Sequence, residues 1–433
     1  MTIASETFSE EALNDPAAFG LHSLPVHAYP AQLADFVLDH WPEAVPLECD
    51  RRALTELLST CFQASLTHEE GRNVRFRLVS ASAEALSRAA VASDFLRLEF
   101  VEPQPFTPDA ARRLSPAVPF HSSLIGVSQR GEQWWMWGIV HTGANWLAPT
   151  WGGRKHQESL ALPAVHVLGA GRIGVYAGAN LVASLEHGMI EATTTDVFTS
   201  RWIGELFRGA FGRVNEPDDL ARPQAHLVRV VSQHMVRRAI FLIRQAGHGG
   251  LILFAEMGLL ERCAGAANGP LKLKYEFRDN DARRRYRTLL QRLFDALANN
   301  GDGSVDLTRF LESETPDVAG VEQSIFELSR LVSGLAAVDG AVVLNKRFEL
   351  IGFGAEVSGE LPYPEFVQQA LDVEAERRST EPANSVGTRH RAAYRFVTAH
   401  AQGLAIVISM DGIVRFVANI GGEIVYWDQF LNW

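Results

Sequence analysis

The sequence predicts an α/β protein with two domains. In some segments apolar residues recur at helical spacing, and in others they form short apolar or alternating runs. A polar segment that contains proline, 215–223, separates these patterns into two groups and is typical of a linker. We therefore expect an N-terminal α/β domain at 1–218 and a second domain at 224–433. In the first domain the predicted helices are Gln32–His40 and Arg51–Ser65, and the predicted strands are Val74–Val79, Ser123–Ser128 and Trp134–Val140.

The second domain also alternates between helix and strand patterns. It opens with a long helical pattern, and an apolar run of the kind found in buried strands follows. A polar stretch interrupts this order, and we interpret 299–319 as an insertion that includes a loop at 312–319. The remaining predictions are helix Gln224–Gln245, strands Leu251–Phe254 and Leu404–Ser409, and a strand Leu335–Leu344 that pairs with Phe348–Phe353 across a turn at Asn345 and Lys346.

The motif Asp339-Gly340-Ala341 lies inside one of these predicted strands. A carboxylate in a buried strand is costly unless it is paired or bound to a metal ion. The sequence therefore favours a functional role for Asp339 over a structural one.

A second motif, Gly387-Thr388-Arg389-His390-Arg391-Ala392-Ala393, predicts the beginning of a helix with Thr388 as its N-cap. Ala393, Phe396 and Val397 continue at helical spacing, and Gly403 is expected to end the helix in a left-handed conformation. The first turn of such a helix offers unpaired N–H groups and a positive dipole end, and here it also carries two guanidinium groups and an imidazole. This combination predicts a binding site for an anion of several charges.

These two motifs, in this order, resemble those of the diadenylate cyclase family, whose domain condenses two ATP molecules into the second messenger cyclic di-AMP. His248-Gly249-Gly250 ahead of an apolar strand and Leu404–Ser409 ahead of a turn agree with the resemblance, which covers about residues 225–430. The resemblance implies a mixed β-sheet flanked by helices and a nucleotidyltransferase that binds ATP. It also implies a homodimer or higher homo-oligomer, because two ATP sites must face each other.

The resemblance also implies roles for individual residues. Where the family usually has Ser-Glu-Glu, this chain has Ser409-Met410-Asp411, so that one acidic position is lost and Asp411 is the candidate replacement. The expected cofactor is a divalent metal ion, Mg²⁺ or Mn²⁺. The implied catalytic residues are Asp339, Arg389, His390 and Arg391, the implied ATP-binding residues are Gly340, Ala341, Gly387, Thr388 and Ser409, and the implied metal ligands are Asp339 and Asp411.

Two other functions stay open at this point. Because an acidic residue is lost, the second domain could bind nucleotide as a sensor without catalysis. The run Gly169-Ala170-Gly171-Arg172-Ile173-Gly174 matches the dinucleotide-binding fingerprint, which would indicate an oxidoreductase. However, the alternation of Ile173 and Val175 favours a glycine-rich hairpin.

Composition limits the partners and the compartment. The net charge of -11 makes nucleic acid an unexpected partner, since an anion must then be held by a local basic site. The three cysteines have no metal-ligand spacing, and the acidic N-terminal residues and the absence of a long apolar run predict neither a signal peptide nor a membrane partner. We therefore expect a cytoplasmic protein with ATP as substrate. Its N-terminal domain weakly resembles sensor regions found ahead of cyclase domains, and the ligand of that domain is not readable from the sequence.

Overall fold

The structure is a computed structural model that describes residues 27–89, 95–143, 152–154, 162–178, 180–186, 188–191, 196–208, 222–256, 270–299, 303–358, 360–410 and 412–429. The chain forms two compact units. The first comprises Met1–His141 and Leu160–Thr193, and the second comprises Thr142–Ser159 and Thr194–Trp433. Each unit contains a β-sheet with helices, which confirms the predicted α/β class.

The limits of these units differ from the predicted limits of 1–218 and 224–433. Residues 196–208 belong to the second unit because their aromatic side chains pack on its strands. Trp202 stacks on Trp427 with ring centroids 4.2 Å apart, and Phe198 meets Phe416 edge to face at 5.3 Å.

The first unit is built from short strands and four helices among its described residues. Asp50 begins the second helix by accepting a hydrogen bond from the Ala53 N–H at 2.8 Å. Its elements are α1 (Pro30–His40), α2 (Arg51–Ser65), β1 (His68–Glu69), β2 (Arg72–Asn73), β3 (Phe76–Ser80), α3 (Ala83–Ala89), β4 (Leu96–Pro105), α4 (Pro108–Leu114), β5 (Ser123–Arg130), β6 (Gln133–His141), β7 (Pro163–Gly169), β8 (Arg172–Ala177), β9 (Asn180–Glu186) and β10 (Met189–Glu191).

Eight of these strands form one sheet in the order β10-β9-β8-β7-β3-β5-β6-β4. All neighbours are antiparallel except β3 and β5, which are parallel. Alternate residues such as Phe76 and Leu78 pack with α1, α2 and α4 in the core. The glycine run 169–174 forms the β7–β8 hairpin, as predicted, and no helix follows it. The strand-turn-helix unit that a dinucleotide site requires is therefore absent there.

The second unit contains a larger sheet and longer helices. Its elements are α5 (Arg201–Leu206), α6 (Arg222–Ala246), β11 (Gly250–Ala255), β12 (Leu271–Glu276), α7 (Arg285–Asn299), α8 (Leu307–Glu312), α9 (Pro316–Leu335), β13 (Ala341–Asn345), β14 (Leu350–Val357), β15 (Phe366–Ala370), β16 (Arg378–Pro382), α10 (Thr388–Ala399), β17 (Leu404–Ile408), β18 (Val414–Ile420) and β19 (Glu423–Gln429).

The nine strands are ordered β12-β14-β13-β11-β17-β18-β19-β15-β16. β11 is parallel to β13 and β15 is parallel to β19, whereas the other neighbours are antiparallel, so the predicted mixed sheet is confirmed. Ile252 and Phe254 of β11 pack with α6, α7 and α9, and Leu251 and Leu253 pack with α10 on the other face. Burial on both faces explains why this strand is apolar without alternation.

Two predicted segments in this unit are wrong. Leu335 is the last residue of α9 and the chain turns over 336–340, so the strand begins only at Ala341. Alanine, which occupies positions 336 and 337, favours helix over strand. The predicted loop at 312–319 is short, because Pro316 occupies the first position of α9, where a missing N–H is harmless.

Other predictions for this unit are confirmed. The long helix is α6, and β13 and β14 form the predicted hairpin. Within the described part of the chain, no helix has both the length and the apolar character needed to cross a membrane.

Candidate active site

The strand register brings three separated segments together at one end of the central strands of the nine-stranded sheet. We call this end of the strands the sheet edge. β11 lies between β13 and β17, with Ile252 opposite Val342 and Gly250 opposite Ile408. The residues just outside these strands, Gly249, Gly340 and Ser409, therefore lie side by side at the same edge. This is the edge where Asp339-Gly340-Ala341 enters β13.

Arg389, in the first turn of α10, reaches the same edge. A Cβ atom at position 249 would lie 3.1 Å from Arg389 Nη1, 2.8 Å from the Ile408 carbonyl oxygen and 3.3 Å from the Met410 nitrogen. The guanidinium group therefore lies directly over Gly249, and a side chain at this position would displace it. Gly249 also has a φ of +63°, which glycine adopts at little cost.

The start of α10 is one residue earlier than predicted. Gly387, and not Thr388, is the N-cap, and no side chain in the described part of the chain caps this helix end. Thr388 is the first helical residue. Gly387, Thr388 and Arg391 are exposed, whereas Arg389 and His390 are half-buried. A helix start of this kind can bind an anion, as the sequence predicts for this motif.

The other end of α10 also differs from the prediction. The helix ends at Ala399, and Gly403 does not adopt a left-handed conformation. Glycine is required there because a Cβ atom would lie 2.7 Å from Phe396 Cε1. Ala393, Phe396 and Val397 are fully buried, as their spacing predicted.

Asp339 lies in the turn between α9 and β13, and its side chain is exposed. The prediction that it interrupts a buried strand is wrong, and the cost of burial is no reason for its presence. Among the described residues it has no hydrogen-bond or ion-pair partner. Its neighbour Gly340 has a φ of +110°, and a Cβ atom there would lie 2.6 Å from the Gly354 carbonyl carbon, so strand packing explains that glycine. Ala341 is fully buried at the start of β13.

Ser409 closes the turn that follows β17. Its N–H and its hydroxyl both donate to the Ile413 carbonyl oxygen, at 2.9 and 3.1 Å, and its own carbonyl accepts from the Gly412 N–H at 3.0 Å. The hydroxyl is thus oriented by the turn at the edge of the sheet. Asp411, the second metal ligand implied by the resemblance, lies outside the described residues.

Two basic residues at this edge were not assigned to the site from the sequence. Arg244 is in the last turn of α6, and a Cβ atom at Gly412 would lie 3.4 Å from its Nε and Nη2 atoms. His248 is hydrogen-bonded through Nδ1 to the Gly249 carbonyl oxygen at 2.6 Å. Both residues directly precede β11, and this position in the sequence could have indicated that they lie near the site. Nothing local in the sequence indicates that Arg244 reaches the turn at Gly412.

Arg391 is exposed, and its charge influences the ionisation of Tyr363. Burial raises the pKa of Tyr363, and the positive charges of Arg391 and Arg395 oppose that rise. The Arg395 guanidinium lies 5.0 Å from the centre of the Tyr363 ring. Arg389 therefore lies at the sheet edge, and Arg391 lies on the exposed side of the same helix start.

The described residues contain no group of three or more His, Cys, Asp or Glu side chains that could hold a metal ion. At the sheet edge Asp339 supplies an exposed carboxylate. Mg²⁺ is commonly bound by one or two carboxylates together with substrate phosphates. The described residues therefore fit an ion that arrives with a nucleotide and do not fit a cage made of protein ligands alone.

Comparison with known protein families gives one result for the first unit. Residues 44–141 match the model of a family described as the probable sensor domain DACNV, the N-terminal sensor of diadenylate cyclase-family proteins. No curated protein and no solved structure matches the chain. The matched residues all precede position 142, so the match indicates a probable sensor domain in the first unit and gives no activity for the second unit.

Proposed function

We propose that the second unit is a diadenylate cyclase, which condenses two ATP molecules into cyclic di-AMP and two pyrophosphates under regulation by the first unit. The observation that carries the proposal is the meeting of the two motifs at one sheet edge, where Arg389 lies over Gly249. The match of residues 44–141 to a sensor family supports the regulatory part.

The charges at this edge suit a triphosphate. Arg389 and Arg244 would neutralise phosphate oxygens at the sheet edge, and the uncapped start of α10 would donate backbone N–H groups. Arg391 would hold the outer phosphates from the exposed side of the helix. Phosphoryl transfer depends mostly on positioning and on charge neutralisation, which are the functions these residue types can supply.

Each bond-forming step joins two nucleotides. The 3′-oxygen of one ATP attacks the α-phosphorus of the other, the bond from that phosphorus to the bridging oxygen breaks, and pyrophosphate leaves. A second attack, by the 3′-oxygen of the other nucleotide on the α-phosphorus of the first, closes the ring and releases the second pyrophosphate. Gly387, Thr388 and Ser409 would contact phosphate, and the backbone at Gly340 and Ala341 would contact the nucleotide. His390 would contact phosphate from the first turn of α10.

A divalent ion, Mg²⁺ or Mn²⁺, when bound, would neutralise phosphate charge and lower the pKa of the attacking hydroxyl. Asp339 would hold that ion or orient the hydroxyl group. Its exposed carboxylate, without a partner among the described residues, supports either role.

Two ATP sites must face each other for this reaction, so we also propose that the active form is a homodimer or a higher homo-oligomer. ATP as substrate and the free thiols of Cys49 and Cys61 favour the cytoplasm.

A second candidate function is nucleotide binding without turnover. It is favoured by the lack, among the described residues, of a cluster of three or more His, Cys, Asp or Glu side chains that could hold a metal ion, and by the Ser409 hydroxyl, which is bonded within its turn. Incubation of the protein with ATP and Mn²⁺, followed by chromatography, separates the two candidates. Cyclic di-AMP in the product supports the cyclase, whereas ATP binding without any product supports the sensor.

A further inference from the structure

The first unit buries a charged side chain, Arg77, that has no hydrogen-bond partner among the residues that the structure describes. Arg77 on β3 is 0% exposed and lies directly opposite His166 of β7. Its neighbours in sequence, Phe76 and Leu78, face the core under α1 and α2, so Arg77 faces the other side of the sheet. Among the described residues, none of its three guanidinium nitrogens has a hydrogen-bond partner. Buried charges are normally paired and hydrogen-bonded, so a buried guanidinium group of this kind is a candidate to bind an anion.

Aromatic side chains surround this guanidinium group. His166 is 2% exposed and stacks on Tyr176 with ring centroids 3.9 Å apart. The Phe120 ring lies 5.8 Å from the Arg77 guanidinium carbon and 4.7 Å from that of Arg75. A cation–π contact near the limit of about 6 Å attracts the charge, but a ring face does not replace the in-plane acceptors that a guanidinium group requires.

The protonation states support an anion site. Burial lowers the pKa of Arg77 to about 9, so this side chain stays charged at neutral pH. Burial, and then the charge of Arg77, lowers the pKa of His166 well below its ordinary value, so the imidazole is neutral. The Nδ1 atom of His166 also lacks a hydrogen-bond partner among the described residues.

The nearby carboxylates do not neutralise Arg77. Glu186 on β9 is 2% exposed and forms an ion pair with Arg172 of β8. Burial, and then repulsion from Glu186, raises the pKa of Glu191, which weakens its contribution as an anion. Arg75 adds a further positive charge beside the Phe120 ring. On the strands that the structure describes, no carboxylate forms an ion pair with Arg77. A bound anion would therefore neutralise its charge.

From this geometry we propose that the first unit binds a small oxyanion, the carboxylate or phosphate group of a ligand, through Arg77. The planar guanidinium fork would accept either group in a bidentate arrangement. The rings of His166, Tyr176 and Phe120 would contact the apolar part of the ligand. The proposal gives the sensor domain a ligand class, and its test does not require cyclic di-AMP synthesis.

The test uses the full chain and compares wild type with Arg77→Met. Arg130→Met, at the exposed end of β5 in the same unit, is the matched control. Inorganic phosphate, acetate and benzoate are added at matched ionic strength, with thermal unfolding and titration calorimetry as readouts. At least one probe should raise the unfolding temperature of wild type and of Arg130→Met. Arg77→Met should bind that probe at least about tenfold more weakly, because a charge-assisted contact is lost.

A second readout concerns the protein without any probe. Arg77→Met should then unfold at a higher temperature than wild type, since the unpaired buried charge is gone while most of the side-chain volume is kept. A lower unfolding temperature would make Arg77 a structural residue and overturn the proposal. No response of wild type to any of the three probes would also overturn it, as would equal binding by Arg77→Met.

The probes and one further variant refine the ligand class. A response to phosphate alone identifies a phosphate group, a response to acetate and benzoate identifies a carboxylate, and a stronger response to benzoate supports contact with the aromatic rings. Arg77→Lys keeps the charge but not the fork, so it should bind more weakly than wild type and more tightly than Arg77→Met. Binding by Arg77→Lys equal to that of Arg77→Met would contradict the role of the charge.

Discussion

Substitution of Gly249 by alanine tests whether Arg389 acts at the edge of the second sheet. The new Cβ atom would lie 3.1 Å from Arg389 Nη1 and 2.8 Å from the Ile408 carbonyl oxygen, closer than ordinary van der Waals contact. Either the guanidinium group or the end of β17 must move. The φ of +63° adds backbone strain, which costs about 1–2 kcal/mol for a residue with a side chain.

Gly247→Ala is the matched control. Gly247 has a φ of +72°, and a Cβ atom there would meet nothing within 4 Å. The two variants therefore share the backbone strain, and only Gly249→Ala disturbs Arg389. We expect both to lower the free energy of unfolding by about 1–2 kcal/mol, with a further loss for Gly249→Ala from the contact with Ile408.

Catalysis should separate the two variants. A contact to a charged group contributes about 1.5–3 kcal/mol, so Gly249→Ala should lower kcat/KM for ATP by about 10- to 150-fold. Gly247→Ala should keep the wild-type value. Cyclic di-AMP is quantified by chromatography at a temperature where unfolding curves show both variants to be folded. Equal kcat/KM for the two variants would refute the role of Arg389 at Gly249.

Three further predictions concern Asp339, Arg391 and the active oligomer. Asp339→Asn keeps the shape but removes the charge, and it should lower cyclic di-AMP synthesis by about 10²-fold or more while the far-UV circular dichroism is unchanged; near wild-type turnover would contradict the assigned role. Arg391→Ala should weaken ATP binding and turnover together by about 10- to 150-fold, and Arg391→Lys should recover only part of the loss; equal activity of the Lys variant and wild type would mean that positive charge alone suffices. Specific activity should fall on dilution through the concentration range in which dimers dissociate into monomers. An excess of Asp339→Asn subunit should inhibit wild type by forming mixed dimers. If light scattering shows that the dimer dissociates while specific activity stays constant, catalysis occurs within a monomer.

Much of the second sheet could be predicted from local patterns. The apolar run that became β11 and the hairpin of β13 with β14 follow directly from residue type and turn chemistry. The quartet Leu335-Ala336-Ala337-Val338 could not be assigned in this way, because a short apolar run fits the end of a helix as well as a strand. The helix pattern of Val321 and Ile325 extends to Leu335, and this tertiary packing decided the assignment.

The candidate site shows a different limit. The motifs identified Asp339 and Arg389, but not the geometry that relates them, because that depends on the pairing of β11 with two strands distant in sequence. Arg244 was missed for the same reason. Its contact with the turn at Gly412 joins residues far apart in the chain, and no local pattern encodes it.

The exposure of Asp339 changes the physical reason for assigning it a function. A buried carboxylate would need a partner, whereas an exposed one is solvated and needs none, so only its position at the start of β13, next to β11 and Gly249, now supports a role. Gly387 and Arg391 are exposed at the same helix start. A site that held both reacting nucleotides within one unit would enclose these groups. An open edge suits the proposed reaction, in which another subunit presents the second nucleotide, so the dilution experiment also tests this explanation of the exposure of Asp339.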